Sequence, residues 1–286
     1  MRLFDTHCHF ETTDENEIAA ILARAKAAGV AALMAVGGSD ALNDAAVRAA
    51  SLSANEELGM RNDECRREMP FVCCALGWDR DQAVAFSNGG EAHNNGGEAL
   101  LPRRNMDETS FSDATGVSRP LCAVGEIGLD YYYSRETRDA QLKLFALELE
   151  RARALGLPVV IHTREAAEDT ISLLKEIPSR GIIHCFTGTP AEAKQYLDLG
   201  FFVSISGIVT FKAADNVRET ALAIPDDRIL IETDSPFLAP VPMRGKPNEP
   251  AFIRHTCEFL AKLRGTDPET FAEQTFANAE CVLGMV

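Results

Sequence analysis

Long apolar stretches are missing from this chain. Runs such as "VAALMAV" (30–36) are among its longest, far short of the ~20 apolar residues a bilayer-crossing helix needs, so no membrane partner is expected. No basic stretch leads into an apolar one near the N-terminus, and no signal peptide is expected. The 8 cysteines form no C-x-x-C pair. Most sit inside apolar runs, as Cys73, Cys74 and Cys122 do, and read as reduced core residues of a cytoplasmic protein, not as a disulfide framework. No G-x-G-x-x-G or G-x-x-x-x-G-K-[ST] fingerprint follows a strand-like run, which weighs against a nucleotide-binding fold. Positive charge is scarce: 28 Lys and Arg stand against 43 Asp and Glu, a net charge of −15. That argues against a protein coating nucleic acid through a basic surface. It leaves room for an enzyme that holds a phosphate through bound metal ions, with most of the carboxylates on a solvated surface.

Against these absences stands a regular alternation. Hydrophobic residues make up 46% and charged residues 25%, as in a soluble globular protein, and 286 residues suit one large domain or two small ones. Short apolar runs rich in Val and Ile occur at 2–7, 30–37, 71–77, 121–128, 157–163, 181–186, 201–206 and 228–234. They read as strands buried on both faces. Helix-like segments lie at about 15–28, 40–58, 136–155, 165–177 and 190–199, with two more at 250–264 and 268–283. Thr189 is placed to cap the 190–199 helix, with Pro190 at its first position. Eight strands alternating with helices fit an α/β fold of the (β/α)8 barrel type, a single domain over 1–286 with an extra C-terminal helix. A doubly wound open sheet shares the same alternation. Residues 87–119, with two Gly-Gly pairs and no periodicity, read as a mobile surface insertion. His93 within it reads as a solvated loop histidine.

"LFDTHCHF" (3–10) ends the first run with His7 and His9, two residues apart. Side chains alternate along a strand, so the two rings share one face and Cys8 points to the other. Two imidazoles on one face can hold a metal ion. The ends of other runs carry Glu126, His162, His184 and Asp234, so that four of the 6 histidines fall at strand ends. Singly, each has an ordinary explanation: a hydrogen-bonded histidine, or a carboxylate capping a helix. Together they are ligand types at equivalent places on several strands, and a barrel gathers such residues at its C-terminal mouth. One divalent ion would take His7, His9 and Asp234, the other His162 and His184, with Glu126 bridging.

Seven stretches in order, "DTHCHF" (5–10), "GEIGLDYYY" (125–133), "VVIHTREA" (159–166), "GIIHCFTGT" (181–189), "FVSISGIVTFK" (202–212), "ILIETDSPFLAP" (229–240) and "RGKPNEP" (244–250), resemble the TatD family of metal-dependent deoxyribonucleases, within the amidohydrolase group of barrels. The family's ligands carry over onto His7, His9, Glu126, His162, His184 and Asp234, the set already reached from the strand ends. The resemblance implies activity with Mg²⁺. The mixed imidazole and carboxylate donors also suit Zn, Mn, Ni or Fe. One place departs: where the family has Gly-x-His-Pro, this chain reads "LGWDRD" (76–81), with Trp78 and Asp79 and neither histidine nor proline. In the resemblance that histidine lies near the substrate, so its loss bears on substrate and rate, not on the metal site.

These residues suggest hydrolysis of a phosphodiester by a metal-activated water; the resemblance implies a deoxyribonuclease acting as an exonuclease on single-stranded DNA, and a monomer is expected. Asp234 is the candidate to accept the water's proton. Arg164 either holds a phosphate oxygen or makes a salt bridge at the start of the next helix. Tyr131, Tyr132 and Tyr133 offer stacking on a base, or packing in the loop. Asn248 and Glu249 match family residues near the mouth and receive no role. The same barrel and metals would also serve a hydrolase of another ester or an amide, such as an aminoacyl-tRNA deacylase. A non-catalytic metal-binding protein would be expected to lack a ligand, and none is missing.

Overall fold

The computed structural model describes residues 1–54, 69–87, 110–112 and 118–285. In chain order the main elements are β1 (Leu3–Cys8), α1 (Glu15–Ala27), β2 (Val30–Gly38), α2 (Asp40–Ala54), β3 (Phe71–Trp78), α3 (Ala83–Ser87), β4 (Ser110–Ser112) and β5 (Ser118–Asp130). They continue with α4 (Arg138–Leu155), β6 (Val159–Arg164), α5 (Ala167–Glu176), β7 (Gly181–Ile183), α6 (Pro190–Asp198), β8 (Phe202–Ile205), α7 (Asp215–Ala223), β9 (Ile229–Ile231), α8 (Ile253–Arg264) and α9 (Pro268–Leu283). The sheet runs β1-β2-β3-β5-β6-β7-β8-β9, every pair parallel.

Whether this sheet closes is decided where β9 meets β1. Past Ile231 the chain keeps alongside β1. Asp234 N donates to His7 O at 2.9 Å, His9 N donates to Ser235 O at 2.8 Å, and Cys8 and Ser235 form a parallel bridge. Thr6 Oγ1 donates to Ile231 O at 3.0 Å. The eight parallel strands therefore form a barrel, and the open-sheet alternative falls.

Apolar residues on the two faces of the strands build two layers of core. Phe4, Met34, Cys73, Ala123, Val160, Ile182 and Leu230 fill the interior. Leu3, Leu33, Leu76, Ile127, Ile161, Val203 and Ile231 face the helices. Both layers are needed because a parallel strand in a barrel is buried on both sides. The interior layer is continued by Phe276, Ala279, Val282 and Leu283 of α9. Phe276 meets Phe4 with ring centroids 5.4 Å apart, and Asn278 Nδ2 donates to Asp226 O and Ile229 O. The extra C-terminal helix thus covers the end of the barrel where the strands begin.

Most expected helices appear within a few residues of their sequence positions. Thr189 and Glu192 form a capping box, with 2.7 Å from Thr189 N to Glu192 Oε2 and 3.2 Å from Glu192 N to Thr189 Oγ1. Two helices are additions. The 5-residue α3 is too short to show a period. α7 is 9 residues long and has no side-chain cap, so little in its sequence marks where it starts. Within the stretch expected to lack periodic structure, β4 pairs antiparallel with the start of β5, Ser110 opposite Pro120 and Ser112 opposite Ser118. His93 lies outside the described residues. Among the described residues no helix is long and apolar enough to cross a membrane.

Candidate metal centre

Strand alternation alone would not aim His7 inward. Phe4 belongs to the interior layer, and Thr6 reaches in to Ser204 Oγ at 3.1 Å, so Cys8 should also face in. Instead Cys8 packs in the outer layer. The pairing of β1 with β2 shifts register between Asp5 and Cys8, an irregularity of the kind that re-aims side chains near active sites. Beyond it His7 and His9 share a face, with their Nε2 atoms 3.0 Å apart. β5 has a similar shift between Val124 and Ile127, which brackets Glu126. Two residues on, Gly128 at φ 134° lies so close to β6 that a Cβ there would sit 2.0 Å from His162 O, so the approach of Glu126 to His162 requires glycine.

Glu126 stands at the middle. Its Oε2 lies 3.5 Å from His7 Nε2 and 3.4 Å from His9 Nε2. Its Oε1 lies 3.2 Å from His162 Nδ1 and 3.4 Å from His184 Nε2. Asp234 Oδ1 completes the first side, 3.8 Å from His7 Nε2 and 3.7 Å from His9 Nε2. All six residues singled out from the strand ends come together. Ligand atoms of His7, Glu126 and His184, and of His7, His9 and Asp234, lie within 4.8 Å of one another. Ligand bonds of ~2.0–2.1 Å in tetrahedral or octahedral geometry set neighbouring ligand atoms about 3.0–3.4 Å apart, close to the spacing found. Imidazole nitrogens and carboxylate oxygens are donors for a divalent ion, so the residues present fit one.

A layer of partners orients the rings. His9 Nδ1 is 2.9 Å from Val36 O, His162 Nε2 is 3.1 Å from Asp130 Oδ2, and His184 Nδ1 is 3.4 Å from Glu232 Oε1. A partner on one ring nitrogen leaves the other for a ligand role. Sequence reading missed Asp130 and Glu232, although both are acids lying within a few residues of a candidate ligand in a quoted motif. It also missed Asp5, whose buried carboxylate accepts from Thr233 N (2.9 Å) and Thr233 Oγ1 (2.6 Å) and so fixes the backbone before Asp234. Asn248 gains a structural place: its Nδ2 donates to Thr233 O (2.8 Å) and Phe237 O (2.6 Å), bracing the same loop. Glu249 pairs with Arg24 at 2.7 Å.

The electrostatics follow from crowding ionisable groups in a dry place. Burial works against the Glu126 charge, yet the His184, His162 and His7 rings hold its carboxyl well below the usual range. Burial, helped by the neighbouring His184, pushes His7 down to about 3, so its ring is neutral at pH 7. His184 is pushed up despite burial, by Glu126 and Glu232. Burial raises Asp234 to about 6 and Asp5 to about 8. A divalent ion would replace protons here, since ligation needs neutral imidazole and ionised carboxylate.

Of the remaining candidates, Tyr131 is buried and its hydroxyl donates to Asp169 at 2.6 Å. Tyr132 and Tyr133 are exposed and meet edge to face. The Arg164 guanidinium lies 3.9 Å above the Tyr132 ring and 4.9 Å from that of Tyr133. Among the described residues it forms no salt bridge, so the salt-bridge alternative is not what the structure shows.

A parallel barrel with imidazoles and carboxylates meeting at its C-terminal mouth is the build of a metal-dependent hydrolase. The family model described as TatD related DNase matches residues 4–284, and the chain belongs to this family. It is 31% identical to "Uncharacterized metal-dependent hydrolase YabD" of Bacillus subtilis over 282 residues, 97% of each chain. It is 47% identical to "Uncharacterized metal-dependent hydrolase YcfH" of Escherichia coli over 161 residues, 55% of this chain and 61% of that protein. It is 40% identical to "3'-5' ssDNA/RNA exonuclease TatD" of Rahnella sp. over 168 residues, 56% and 64%. Those last two matches each span less than two thirds of the relative's length. The crystal structure of YJJV, a TatD homolog from Escherichia coli K12, superposes with a TM-score of 0.73 at 25% identity, covering 98% of this chain and 97% of that one.

Proposed function

We propose that the chain hydrolyses phosphodiester bonds as an exonuclease on single-stranded DNA, with two divalent ions held by His7, His9, Glu126, His162, His184 and Asp234. The observation that carries this reading is the division of Glu126. One oxygen faces His7 and His9, the other His162 and His184, in a chain similar to a protein named a 3'-5' ssDNA/RNA exonuclease. Bound there, such ions supply a water acidified toward neutral pH and positive charge against a phosphodiester. Mg²⁺ is the ion in function, and Zn, Mn, Ni or Fe suit the same donors.

The chain's own residues do the rest. Asp234 is the more open of the two carboxylates, its side chain 14% exposed against 7% for Glu126, and it accepts the proton of the attacking water. Arg164 directs its guanidinium to a phosphate oxygen at the mouth. Asp5, Asn248 and the β1 backbone hold Asp234 in place, at φ 55°.

A second reading, hydrolysis of another ester or an amide, draws on Trp78 and Asp79 standing where the resemblance has His-Pro, and on the net charge of −15. One panel separates the two. Single-stranded and duplex oligonucleotides are incubated beside aminoacyl-ester and amide substrates, each with Mg²⁺, Mn²⁺ and Zn²⁺. Shortening of end-labelled single strands supports the nuclease; turnover of the ester or amide alone overturns it.

A further inference from the structure

The turn after β3 places a guanidinium on one side of Glu126 only. Asp79 starts that turn: its carboxylate accepts from Asp81 N at 2.9 Å, capping the short 3-10 segment Arg80–Gln82. Its own amide donates to Gly38 O at 2.9 Å, which ties the turn to β2. Arg80 is thereby sent back over the mouth. Its Nη1 donates to Glu126 Oε1 at 3.3 Å. Its Nε lies 3.7 Å from Asp130 Oδ2, and is buried without a hydrogen-bond acceptor. Among the described residues, Glu126 Oε2, facing His7 and His9, has no arginine or lysine beside it.

We propose that Arg80 makes the two metal positions unequal, weakening the one on the His162–His184 side for a divalent ion. The proposal rests on the reading of Glu126 as a ligand shared by two ions. That side depends on Oε1, and Arg80 occupies one of the few directions in which Oε1 accepts. A fixed positive charge near a dication repels it, and a buried site screens that repulsion poorly. Arg80 also draws on Asp130, the carboxylate that orients His162 and strengthens it as a donor. The His7–His9–Asp234 side keeps its full donor strength. The inequality therefore comes from the chain's own sequence at "WDRD" (78–81).

The test is a calorimetric titration of Mn²⁺ into the full chain after chelator treatment, for wild type, Arg80→Ala, Arg80→Gln and Arg80→Lys. The wild type is expected to take up one ion tightly and a second at least tenfold more weakly. Removing the charge, in Ala and in the near-isosteric Gln variant, should tighten the weaker step about tenfold or more and leave the tighter one within about threefold. Arg80→Lys should keep the two steps apart. A single step in the wild type that becomes two in the neutral variants also supports the proposal. Two steps with the weaker one unmoved in Ala and Gln overturn the role of Arg80 and leave the shared ligand standing. One ion or none in every variant overturns the shared-ligand reading itself, and the proposal with it.

Discussion

Asp234 sits on backbone that its neighbours fix. Its amide donates to His7 O, Asp5 holds Thr233 through two hydrogen bonds, and φ is 55°, a region few side-chain-bearing residues adopt. Asparagine tolerates that conformation as well as aspartate does, so Asp234→Asn should fold normally. Its amide oxygen still ligates, though weakly, and raising the metal concentration should restore part of the occupancy. It cannot take a proton, so turnover at full occupancy should stay down by roughly a hundred- to ten-thousand-fold, the usual contribution of a general base. Turnover and metal content measured on the same sample decide the matter: near-wild-type turnover removes the base role, and a deficit explained wholly by lost metal leaves a ligand only. A second residue speaks to stability. Glu148 is buried beside Arg151 at 3.0 Å, and burial pushes it up to about 7 despite that partner. Between its ordinary value and about 7 the folded chain keeps a proton that the unfolded chain has released, so stability falls as pH rises through that window. Glu148→Gln should flatten the slope, by on the order of 1–3 kcal/mol between pH 5 and 8. Urea denaturation at those two pH values measures it, and an unchanged slope refutes it. Candidate ligands such as His7 and His184 were legible in the sequence because their chemistry is distinctive and strand ends are recognisable. Arg80, Asp5 and Glu232 were not, because what they touch depends on register shifts and on chain far away: Asp5 meets Thr233 across 228 positions.

At the scale of elements, the strands were legible because each is a continuous apolar run, while their exact extents were not. The runs at 181–186 and 228–234 form ladders only over Gly181–Ile183 and Ile229–Ile231. Past those ladders the chain keeps only isolated bonds to its neighbours, His184 N to Ile161 O and Asp234 N to His7 O, as it carries His184 and Asp234 into the mouth. α7 was missed because it is short and no capping side chain marks its start. α9 was visible as a helix, but its use was not, since nothing in its own pattern says that Phe276 belongs to the barrel interior. That use gives a prediction. Phe276 packs on Phe4, with the Arg2 guanidinium 3.9 Å from its ring centroid, at the end of the barrel away from the candidate metal ligands. Phe276→Ala should cost about 3–5 kcal/mol, as burial of a large aromatic usually implies, while Mn²⁺ affinity of the folded chain stays as in the wild type. Denaturation and calorimetry on one preparation test both halves. A metal affinity that falls along with stability would mean that the two ends of the barrel are coupled.

The molecule as a whole carries a net charge of −15, and its proposed substrate is a polyanion. Long-range attraction cannot bring the two together. At low ionic strength the field of the protein opposes approach, and salt screens that field over about 10 Å at 0.1 M. Affinity must then come from the mouth itself, from bound ions and from a small number of cations such as Arg164 and Arg80. Each phosphate neutralised on a single strand contributes about −0.7 to the slope of log affinity against log salt. Two such contacts predict a slope of roughly −1.4, made shallower still by the relief of repulsion. This is far from the steep loss of a protein that grips the backbone through a basic face. The measurement is kcat/KM on a short single-stranded oligonucleotide between about 20 and 200 mM salt, at fixed free Mg²⁺, with a chelator control that should abolish cleavage. A shallow slope supports recognition confined to the mouth. A slope of about −4 or steeper would require further cations along the strand. Arg244 and Lys246, exposed on the loop that Asn248 braces against Thr233, would be the first to replace, because they are cations beside the mouth.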